Sequence, residues 1–241
     1  MAKFYGKASK YLKGNTLIEK YATVLWRALL IVTLYLILVK NIDIFFSQSL
    51  IGLLVILIMF GPIIWFIIYQ IKQRSISFTS FRNGQKGEGA VWYELRKLSD
   101  KFIVFQDIKI GERGNIDFVV LGPTGLFVLE VKSHRGIINF NGIDLLINNK
   151  FFEKDILKQT MAGALNLRDY LLKKTNQELF IDPVLVFSNY GTRVHFGLNR
   201  VKNIFVIQKR YLKKLIYSQP EKYSQELISK IENELKNLVI K

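Results

Sequence analysis

Two long apolar runs lie in the first third of the chain, with a short polar link between them. Residues 22–39 carry a single charge, Arg27, and residues 50–71 carry none. At a helical rise of about 1.5 Å per residue, the second run is long enough to cross the roughly 30 Å hydrocarbon core of a bilayer. The pattern predicts two transmembrane helices within residues 22–71, joined by an outward-facing link over residues 40–48.

Basic residues flank this apolar region on both sides. Lysine is the dominant charged residue of the first twenty-one positions, and Lys72 and Arg74 follow the second run directly. Because Lys and Arg accumulate on the cytoplasmic side of membrane spans, we expect residues 1–21 to form a basic cytoplasmic N-terminus and residues 72–86 a cytoplasmic linker. The alternative is two buried helices of a soluble protein, which the uncharged second run disfavours. The expected location is the cell membrane, with both termini in the cytoplasm.

After residue 86 the pattern changes to short apolar strands separated by amphipathic helices. Apolar runs bounded by turn residues predict strands over residues 102–110, 116–121, 126–132, 137–140, 183–187 and 203–207. Helical spacing predicts a helix that opens at Gly87-Glu88 and another over residues 155–173, with Leu165 and Leu172 in its buried stripe. Strands that are almost wholly apolar are typical of a sheet covered by helices, so we expect an α/β domain.

Two of these strands flank Gly-Pro-Thr-Gly at residues 122–125, a pattern that predicts a β-hairpin with a four-residue loop. If the leucines on either side of this loop pair, Asp117 lies directly opposite Glu130. Opposed residues of an antiparallel pair have Cβ atoms about 4.5–5.5 Å apart and point to one face, which Lys132 shares by strand alternation. The hairpin therefore gathers two carboxylates and an ammonium group at one end of an otherwise apolar strand pair.

Two carboxylates that face each other in an apolar hairpin must share a proton, meet a cation or bind a metal ion. The simpler interpretation is an ion pair, in which Lys132 neutralises one charge at the end of a sheet. The other is a Mg²⁺-type site, since hard divalent cations prefer one or two carboxylates together with waters and phosphate oxygens. In that case Lys132 would lie beside the metal-bound water and the reacting phosphate. The hairpin alone is compatible with both interpretations.

An ordered set of residues around the hairpin resembles the nuclease-related domain, NERD, of the PD-(D/E)xK superfamily. The set comprises Gly87-Glu88, Asp117, the Pro-Thr-Gly-Leu-Phe-Val turn and strand, Glu130-Val131-Lys132, Gly136 and Gln159. Glu-x-Lys alone is short and common, whereas the ordered set is specific. The resemblance runs from about Gly87 to about Ser188. It implies a restriction-endonuclease-like fold, with a mixed sheet flanked by helices, preceded here by a transmembrane helical hairpin.

The resemblance also implies a catalytic site made of six residues: Glu88, Asp117, Glu130, Val131, Lys132 and Gln159. Asp117, Glu130 and the Val131 carbonyl would bind Mg²⁺ or Mn²⁺, and Glu88 would support that metal site. The lysine would orient the attacking water or stabilise charge on the phosphate, and the glutamine amide would support the site. The expected domain spans residues 87–210, and C-terminal helices over residues 211–241 pack on it or extend it.

The charge of the chain suits a polyanionic partner. Lys and Arg number 35 against 19 acidic residues, which gives a net charge of +16. This excess indicates nucleic acid or anionic lipid, although a generally basic proteome explains it almost as well. With the resemblance, we expect the domain to bind nucleic acid, DNA rather than RNA, and the N-terminal spans to lie in a lipid bilayer. The absence of cysteine and the presence of only two histidines leave little material for disulfides, zinc sites or serine–histidine catalysis.

Several residues outside the six are candidates for nucleic-acid contacts, although a solvated basic surface is the default interpretation. His134 and Arg135 directly follow the Glu-Val-Lys strand, and a guanidinium group can hold two phosphate oxygens. The remaining candidates lie in a loop between the last two strands and are Tyr190, Arg193, His195 and Arg200.

These patterns lead to three hypotheses. The first is a membrane-anchored, metal-dependent nuclease whose domain faces the cytoplasm. The second is a catalytically inactive module that holds nucleic acid or a protein at the membrane. The third is a scaffold whose anchor and C-terminal helix act in a membrane assembly.

Overall fold

The computed structural model describes residues 1–6, 26, 27, 29, 30, 33, 61, 62, 65, 69, 84, 86–111 and 115–240. The chain divides into two compact units, one formed by residues 1–8 and 83–241 and the other by residues 9–82. The described residues of the second unit are helical. No helix within the described part of the chain is long and apolar enough to cross a membrane. The predicted spans lie almost entirely outside the described residues, so the two-span anchor stays a prediction.

The described part of the first unit contains two sheets and four α-helices. The strands are β1 (Lys3–Tyr5), β2 (Ile103–Lys109), β3 (Asn115–Gly122), β4 (Gly125–Lys132), β5 (Ile137–Phe140), β6 (Leu145–Ile147), β7 (Lys150–Phe151), β8 (Ile181–Phe187), β9 (Arg193–Val194), β10 (Arg200–Val201) and β11 (Ile204–Gln208). The helices are α1 (residues 86–95), α2 (Ile156–Thr175), α3 (Leu212–Ser218) and α4 (Gln225–Lys236), and a 3₁₀ turn covers Lys209–Tyr211.

The larger sheet is mixed and has the strand order β1-β2-β3-β4-β8-β11-β10. The central strand β4 pairs antiparallel with β3 and parallel with β8. The smaller sheet, with the order β7-β6-β5-β9, covers one side of the same unit. The predicted α/β architecture, a mixed sheet flanked by helices, is therefore confirmed.

Helices cover both faces of the larger sheet, because its central strands are apolar on both faces. Phe118 and Val120 of β3 share a core with α1 and α3, whereas Val119 and Leu121 share a core with α2 and α4. By the same alternation, Asp117 belongs to the α2 side of the sheet. The even-numbered residues of β4 belong to that side too, so the charged end of the hairpin faces α2.

Helix α2 differs from its prediction in the face it buries. Asp155 caps its first turn by accepting a hydrogen bond from the Lys158 amide, and Asn176 ends it in a left-handed conformation. Leu165 and Leu172 are exposed, which corrects the predicted stripe. The buried positions are Ile156, Leu157, Thr160, Ala164, Leu167, Leu171 and Thr175. Leu167 and Leu171 thus take the buried places expected for Leu165 and Leu172, whereas Ile156, Leu157 and Ala164 are buried as the spacing predicts.

The first residues of the chain form a strand that the sequence pattern did not indicate. Residues 3–5 pair in parallel with the first residues of β2 and complete one edge of the larger sheet. Glu232 of α4 holds this strand, since it accepts hydrogen bonds from Lys3 Nζ at 2.7 Å and Tyr5 Oη at 2.6 Å. Helix α1 also starts earlier than predicted, because Gly84 and Lys86 are already helical.

Candidate active site

The β3–β4 hairpin has the predicted register. Leu121 pairs with Leu126, and the last paired positions of the ladder are Phe118 and Leu129. The next opposed positions are therefore Asp117 and Glu130. The connection is shorter than predicted, because Gly122 and Gly125 are themselves paired and leave only two residues in the loop.

Asp117 is held against the neighbouring strand by a backbone hydrogen bond. Its Oδ2 accepts from the amide of Val131 at 2.7 Å. Burial raises the pKa of Asp117 well above its usual range, and the nearby charges of Glu130 and Glu88 raise it further. The Val131 hydrogen bond and the charge of Lys132 lower the pKa only in part. A further cation beside Asp117 would therefore stabilise its carboxylate form.

Glu130, Lys132 and Gln159 form a closed triangle of hydrogen bonds. Lys132 Nζ donates to Glu130 Oε1 at 2.6 Å and to Gln159 Oε1 at 3.2 Å. Gln159 Nε2 donates to the same Glu130 oxygen at 2.7 Å. The lysine and glutamate come from β4 and the glutamine comes from α2, so the packing of α2 on the sheet sets this geometry. Glu130 as a whole residue is only 8% exposed. Its hydrogen bonds are therefore shielded from water, which strengthens them.

Glu88 reaches the site from α1. The start of this helix packs against the ends of β4 and β8 so closely that a Cβ on Gly87 would lie 2.7 Å from Ser188 Oγ. Burial raises the pKa of Glu88 to about 7, and the charges of Asp107 and Glu130 contribute to the same shift. Glycine at position 87 thus permits the close approach that places Glu88 among the other acids.

Asp107 belongs to this acidic group and was missed by the sequence analysis. It lies in β2 between Gln106 and Ile108, which pair with Phe118 and Ile116, so its register position is opposite Asp117. Its φ of 53° interrupts the regular ladder at that point. An acidic residue in the middle of an apolar strand was the available signal. Asp107, Asp117 and Glu130 therefore occupy adjacent positions on three neighbouring strands.

The carboxylates of Asp117 and Glu130 each keep one oxygen that forms no hydrogen bond with the described residues, Oδ1 and Oε2 respectively. The Val131 carbonyl points to the same side of β4 as its amide, because the two groups of a strand residue face the same neighbour. These are hard oxygen donors of the kind that Mg²⁺ accepts. Within the described ranges, no three His, Cys, Asp or Glu side chains are arranged as a ready metal cage. A cation here would complete its shell with waters or phosphate oxygens.

The other candidates are divided between the two ends of the sheet. His134 and Arg135 are exposed just beyond β4, and the His134 ring meets Phe152 edge-on with 5.1 Å between centroids. Tyr190 and Arg193 lie in the adjoining loop and strand. Arg200 is not near this site, because it pairs at 2.5 Å with Asp182, which lies near the opposite end of β8.

Comparison with known proteins gives one match. Residues 83–188 match the model of the NERD family, described as a nuclease-related domain. This range extends from α1 to the end of β8 and includes all six residues predicted for the site. Searches of curated proteins and of solved structures found no significant match. A nuclease-related domain is therefore present at residues 83–188.

Proposed function

From a nuclease-related domain at residues 83–188, we propose that this protein hydrolyses phosphodiester bonds of nucleic acid with the help of Mg²⁺ or Mn²⁺. We place it in the PD-(D/E)xK superfamily, with a restriction-endonuclease-like fold. The observation that carries the proposal is the juxtaposition of Asp117, Glu130 and Lys132 at one end of the hairpin. Among the described residues, one oxygen of each carboxylate has no hydrogen-bond partner, and it lies beside a lysine that is already positioned.

The metal ligands would be Asp117 Oδ1, Glu130 Oε2 and the Val131 carbonyl. When bound, the ion supplies an activated water and neutralises charge that develops on the phosphate. The raised pKa of Asp117 supports this assignment, because burial and neighbouring acids disfavour its carboxylate until a cation is added. Val131 holds the other oxygen of Asp117 through its amide, which fixes the direction of the free oxygen.

Lys132 would orient the attacking water and stabilise negative charge on the phosphate. Its ammonium group is held between Glu130 and Gln159, so its position is set before a substrate arrives. Gln159 acts through both of its neighbours, since its amide accepts from Lys132 and donates to Glu130. We therefore assign Gln159 as a positioning residue.

Glu88 and Asp107 would support the cation from the far side of the site. Burial and the neighbouring acids raise the pKa of Glu88 to about 7, which disfavours its carboxylate form. A nearby divalent cation would lower that pKa and favour the carboxylate. The two acids would then accept hydrogen bonds from waters of the ion, in keeping with the tendency of Mg²⁺ to retain several waters.

The same proposal places the domain at the cytoplasmic face of the cell membrane, with DNA as the preferred nucleic acid. The membrane location is supported by the pair of apolar runs within residues 22–71 and by the basic residues that flank them. Carbonate washing of membranes from expressing cells provides the test. The full-length protein should stay with the membrane, and release into the supernatant would contradict the anchor.

The catalytic proposal is tested with the purified full-length chain in detergent. Single-stranded DNA, duplex DNA and RNA are each incubated with Mg²⁺, Mn²⁺ or EDTA, and products are resolved on denaturing gels. Glu130→Gln and Lys132→Met should each lower cleavage by about a hundredfold or more. Lys222→Met is the matched control, because Lys222 also pairs with an acid, Asp182, but near the opposite end of β8. Metal-dependent cleavage that survives both site substitutions would reject this site.

A non-catalytic binding module is the second candidate. The observation that favours it is the 2.6 Å contact between Lys132 and Glu130, which neutralises that carboxylate without a metal ion. Such a module would bind nucleic acid with a steep dependence on salt. Isothermal titration with Mg²⁺ separates the two functions, since only the nuclease needs to bind the ion at Asp117 and Glu130.

A further inference from the structure

The loop between β8 and β9 presents an aromatic side chain beside the candidate active site. Tyr190 is 87% exposed and is the most exposed large hydrophobic side chain among the described residues. A single exposed ring is common on protein surfaces, so a role for Tyr190 has to be argued from what surrounds it. No step of the proposed hydrolysis uses this ring.

Four hydrogen bonds fix the loop to the segment that follows Lys132. The amides of Ser188 and Arg193 donate to the carbonyls of Lys132 and Gly136, each at 2.9 Å. The side chains of Asn189 and Thr192 donate to the carbonyls of Ser133 at 3.3 Å and His134 at 2.5 Å. The loop therefore keeps a constant position relative to the catalytic strand. Tyr190 is two residues beyond Ser188, so its Cα lies within about 7 Å of that anchor point.

One face of the Tyr190 ring rests on a cation. Lys209 Nζ lies 3.7 Å from the ring centroid, and Lys209 is only 5% exposed. This ammonium group forms no hydrogen bond or ion pair with the described residues, so the ring is its contact. The neighbouring Gln208 supports the same loop by donating to the Thr192 carbonyl. The ring is thus held from below, and its other face is open to solvent.

Two arginines lie in the segments that hold this loop. Arg135 packs against Gly191 so closely that a Cβ there would lie 2.9 Å from Arg135 Nε. Arg135 and Arg193 are both exposed. An exposed ring with a lysine on one face and an arginine beside its loop matches a nucleotide, whose base can stack while its phosphates meet the cations.

We propose that Tyr190 is a stacking platform for an unpaired base, which makes single-stranded nucleic acid the preferred substrate of the adjacent site. Bases inside a duplex already stack on one another and cannot lie on a protein ring without being extruded. A platform that is fixed beside the catalytic strand therefore selects single strands or frayed ends. This inference rests on the proposed nuclease function, and it adds the class of substrate.

The test measures binding without cleavage, using the full-length chain in detergent with EDTA. Fluorescence anisotropy gives the affinity for a labelled single strand, for an abasic strand of equal length and charge, and for a duplex. Tyr190→Ala should weaken binding of the single strand about tenfold, since stacking of a base on an aromatic side chain contributes a factor of this order. It should leave the affinity for the abasic strand unchanged, and Tyr190→Phe should retain the affinity for the single strand. The quenching of 2-aminopurine within the strand should disappear in Tyr190→Ala.

The matched control is Phe180→Ala. Phe180 is another exposed ring with a lysine over it, since Lys222 Nζ lies 4.8 Å from its centroid. It precedes β8, whereas Tyr190 follows it, so the two rings are separated by the length of a seven-residue strand, about 20 Å. Loss of affinity in Phe180→Ala equal to that in Tyr190→Ala would overturn the platform.

Three other results would also overturn it. Two of them come from the anisotropy measurement: an unchanged affinity of Tyr190→Ala for the single strand, or an equal loss of affinity for the abasic strand. The third comes from a separate measurement of binding to vesicles of anionic lipid, in which Tyr190→Ala would lose affinity for the vesicles alone. The last would identify Tyr190 as a membrane contact. If the protein cleaves nothing but shows base-dependent binding that needs Tyr190, the catalytic proposal fails and the platform stands. If it cleaves normally and Tyr190→Ala binds as the wild type does, only the platform fails.

Discussion

The carboxyl group of Asp117 lies where its charge is opposed by burial and by two other acids. The structure compensates with one backbone hydrogen bond and with the charge of Lys132, which sits on Glu130 rather than on Asp117. The site is therefore a cluster of acids whose mutual repulsion a divalent cation would neutralise. The cation would bind Asp117 Oδ1 and Glu130 Oε2, which form no hydrogen bond with the described residues.

Substitution of Asp117 by Asn should separate the electrostatic role of this residue from its structural one. Asparagine keeps an oxygen for the Val131 amide but removes the charge, so we expect an equal or higher melting temperature than that of the wild type in EDTA. Mg²⁺ should raise the melting temperature of the wild type, since a ligand at a hundred times its Kd stabilises by about 2.7 kcal/mol. It should not raise that of the variant.

Differential scanning fluorimetry with and without Mg²⁺ provides this measurement. The control is Asp169→Asn, because Asp169 is exposed and its one ion pair with the described residues is to its neighbour Arg168. A Mg²⁺-dependent rise that persists in Asp117→Asn would show that the ion binds elsewhere.

Helices α1 and α2 bring Glu88 and Gln159 to a site whose other residues come from strands. Neither helix is adjacent in sequence to β4, which carries Glu130 and Lys132, so the packing of helices on the sheet sets these distances. At α1 there is no room for a larger residue, because a Cβ on Gly87 would lie 2.7 Å from Ser188 Oγ and 3.2 Å from Ser133 Cβ. At α2 the exposed Gln159 lies between the buried Ile156 and Thr160 in sequence, and its amide reaches Glu130 of β4. The accuracy of the site therefore depends on helix–sheet packing.

A pair of glycine substitutions in α1 tests the packing at this contact. Gly87→Ala places a Cβ 2.7 Å from Ser188 Oγ, which should lower the free energy of unfolding by about 1–3 kcal/mol and displace Glu88. Gly89→Ala meets nothing within 4 Å and should raise the free energy of unfolding by about 0.5–1 kcal/mol, because alanine favours a helix. Urea titration followed by circular dichroism measures both. Equal effects of the two substitutions would contradict the close contact.

The hydrogen bonds from Lys3 and Tyr5 of β1 to Glu232 of α4 should make the stability of the fold depend on pH. Partial burial alone would raise the pKa of Glu232, but hydrogen bonds from Lys3, Tyr5 and Lys236 outweigh it and lower the pKa to about 2. An acid with a lowered pKa stabilises the fold above its unfolded value, about 4.3, and that contribution is lost as the pH falls toward 2. Glu232→Gln should therefore lower stability at pH 7 and flatten its decline in this pH interval.

Thermal unfolding at a series of pH values measures the effect. Glu221→Gln is the control, since Glu221 is exposed and forms no ion pair with the described residues. A decline that is as steep in Glu232→Gln as in the wild type would show that other acids cause it.

On the scale of the whole molecule, residues on both sides of the apolar region belong to one compact unit. The strand at residues 3–5 pairs with β2, while the rest of the sheet follows residue 102. A segment that leaves this unit at residue 9 and returns at residue 82 must cross any membrane an even number of times. Zero crossings satisfy this condition as well as two, so the two-span anchor stays a proposal.

Replacement of residues 9–82 by a flexible Gly/Ser linker should therefore give a folded domain that retains β1. We expect this chain to have a higher melting temperature than a fragment of residues 83–241, because β1 and its contacts to Glu232 are present only in the first. Calorimetry of the two proteins provides the comparison. Equal melting temperatures would mean that β1 contributes nothing to the stability of the sheet.

The hairpin and its register were predictable because they are local. Two apolar runs on either side of a Gly-Pro-Thr-Gly turn predict a hairpin, and pairing of the flanking leucines sets Asp117 opposite Glu130. Helix α2 was predictable for the same reason, from spacing and its Asp155 cap. The buried face of that helix was not, because Leu165 and Leu172 fit the pattern as well as the residues that the sheet selects.

The sequence by itself thus determined the longer strands, the pairing across the Pro-Thr turn and the acid–lysine chemistry at its end. Only the tertiary structure decided that Asp107 joins this group, that Gln159 donates to Glu130 at 2.7 Å, and that residues 3–5 complete the sheet. The physical reason is chain separation. Neighbouring residues are related by backbone geometry, whereas residues far apart in the chain meet only where packing of whole helices and strands brings them together.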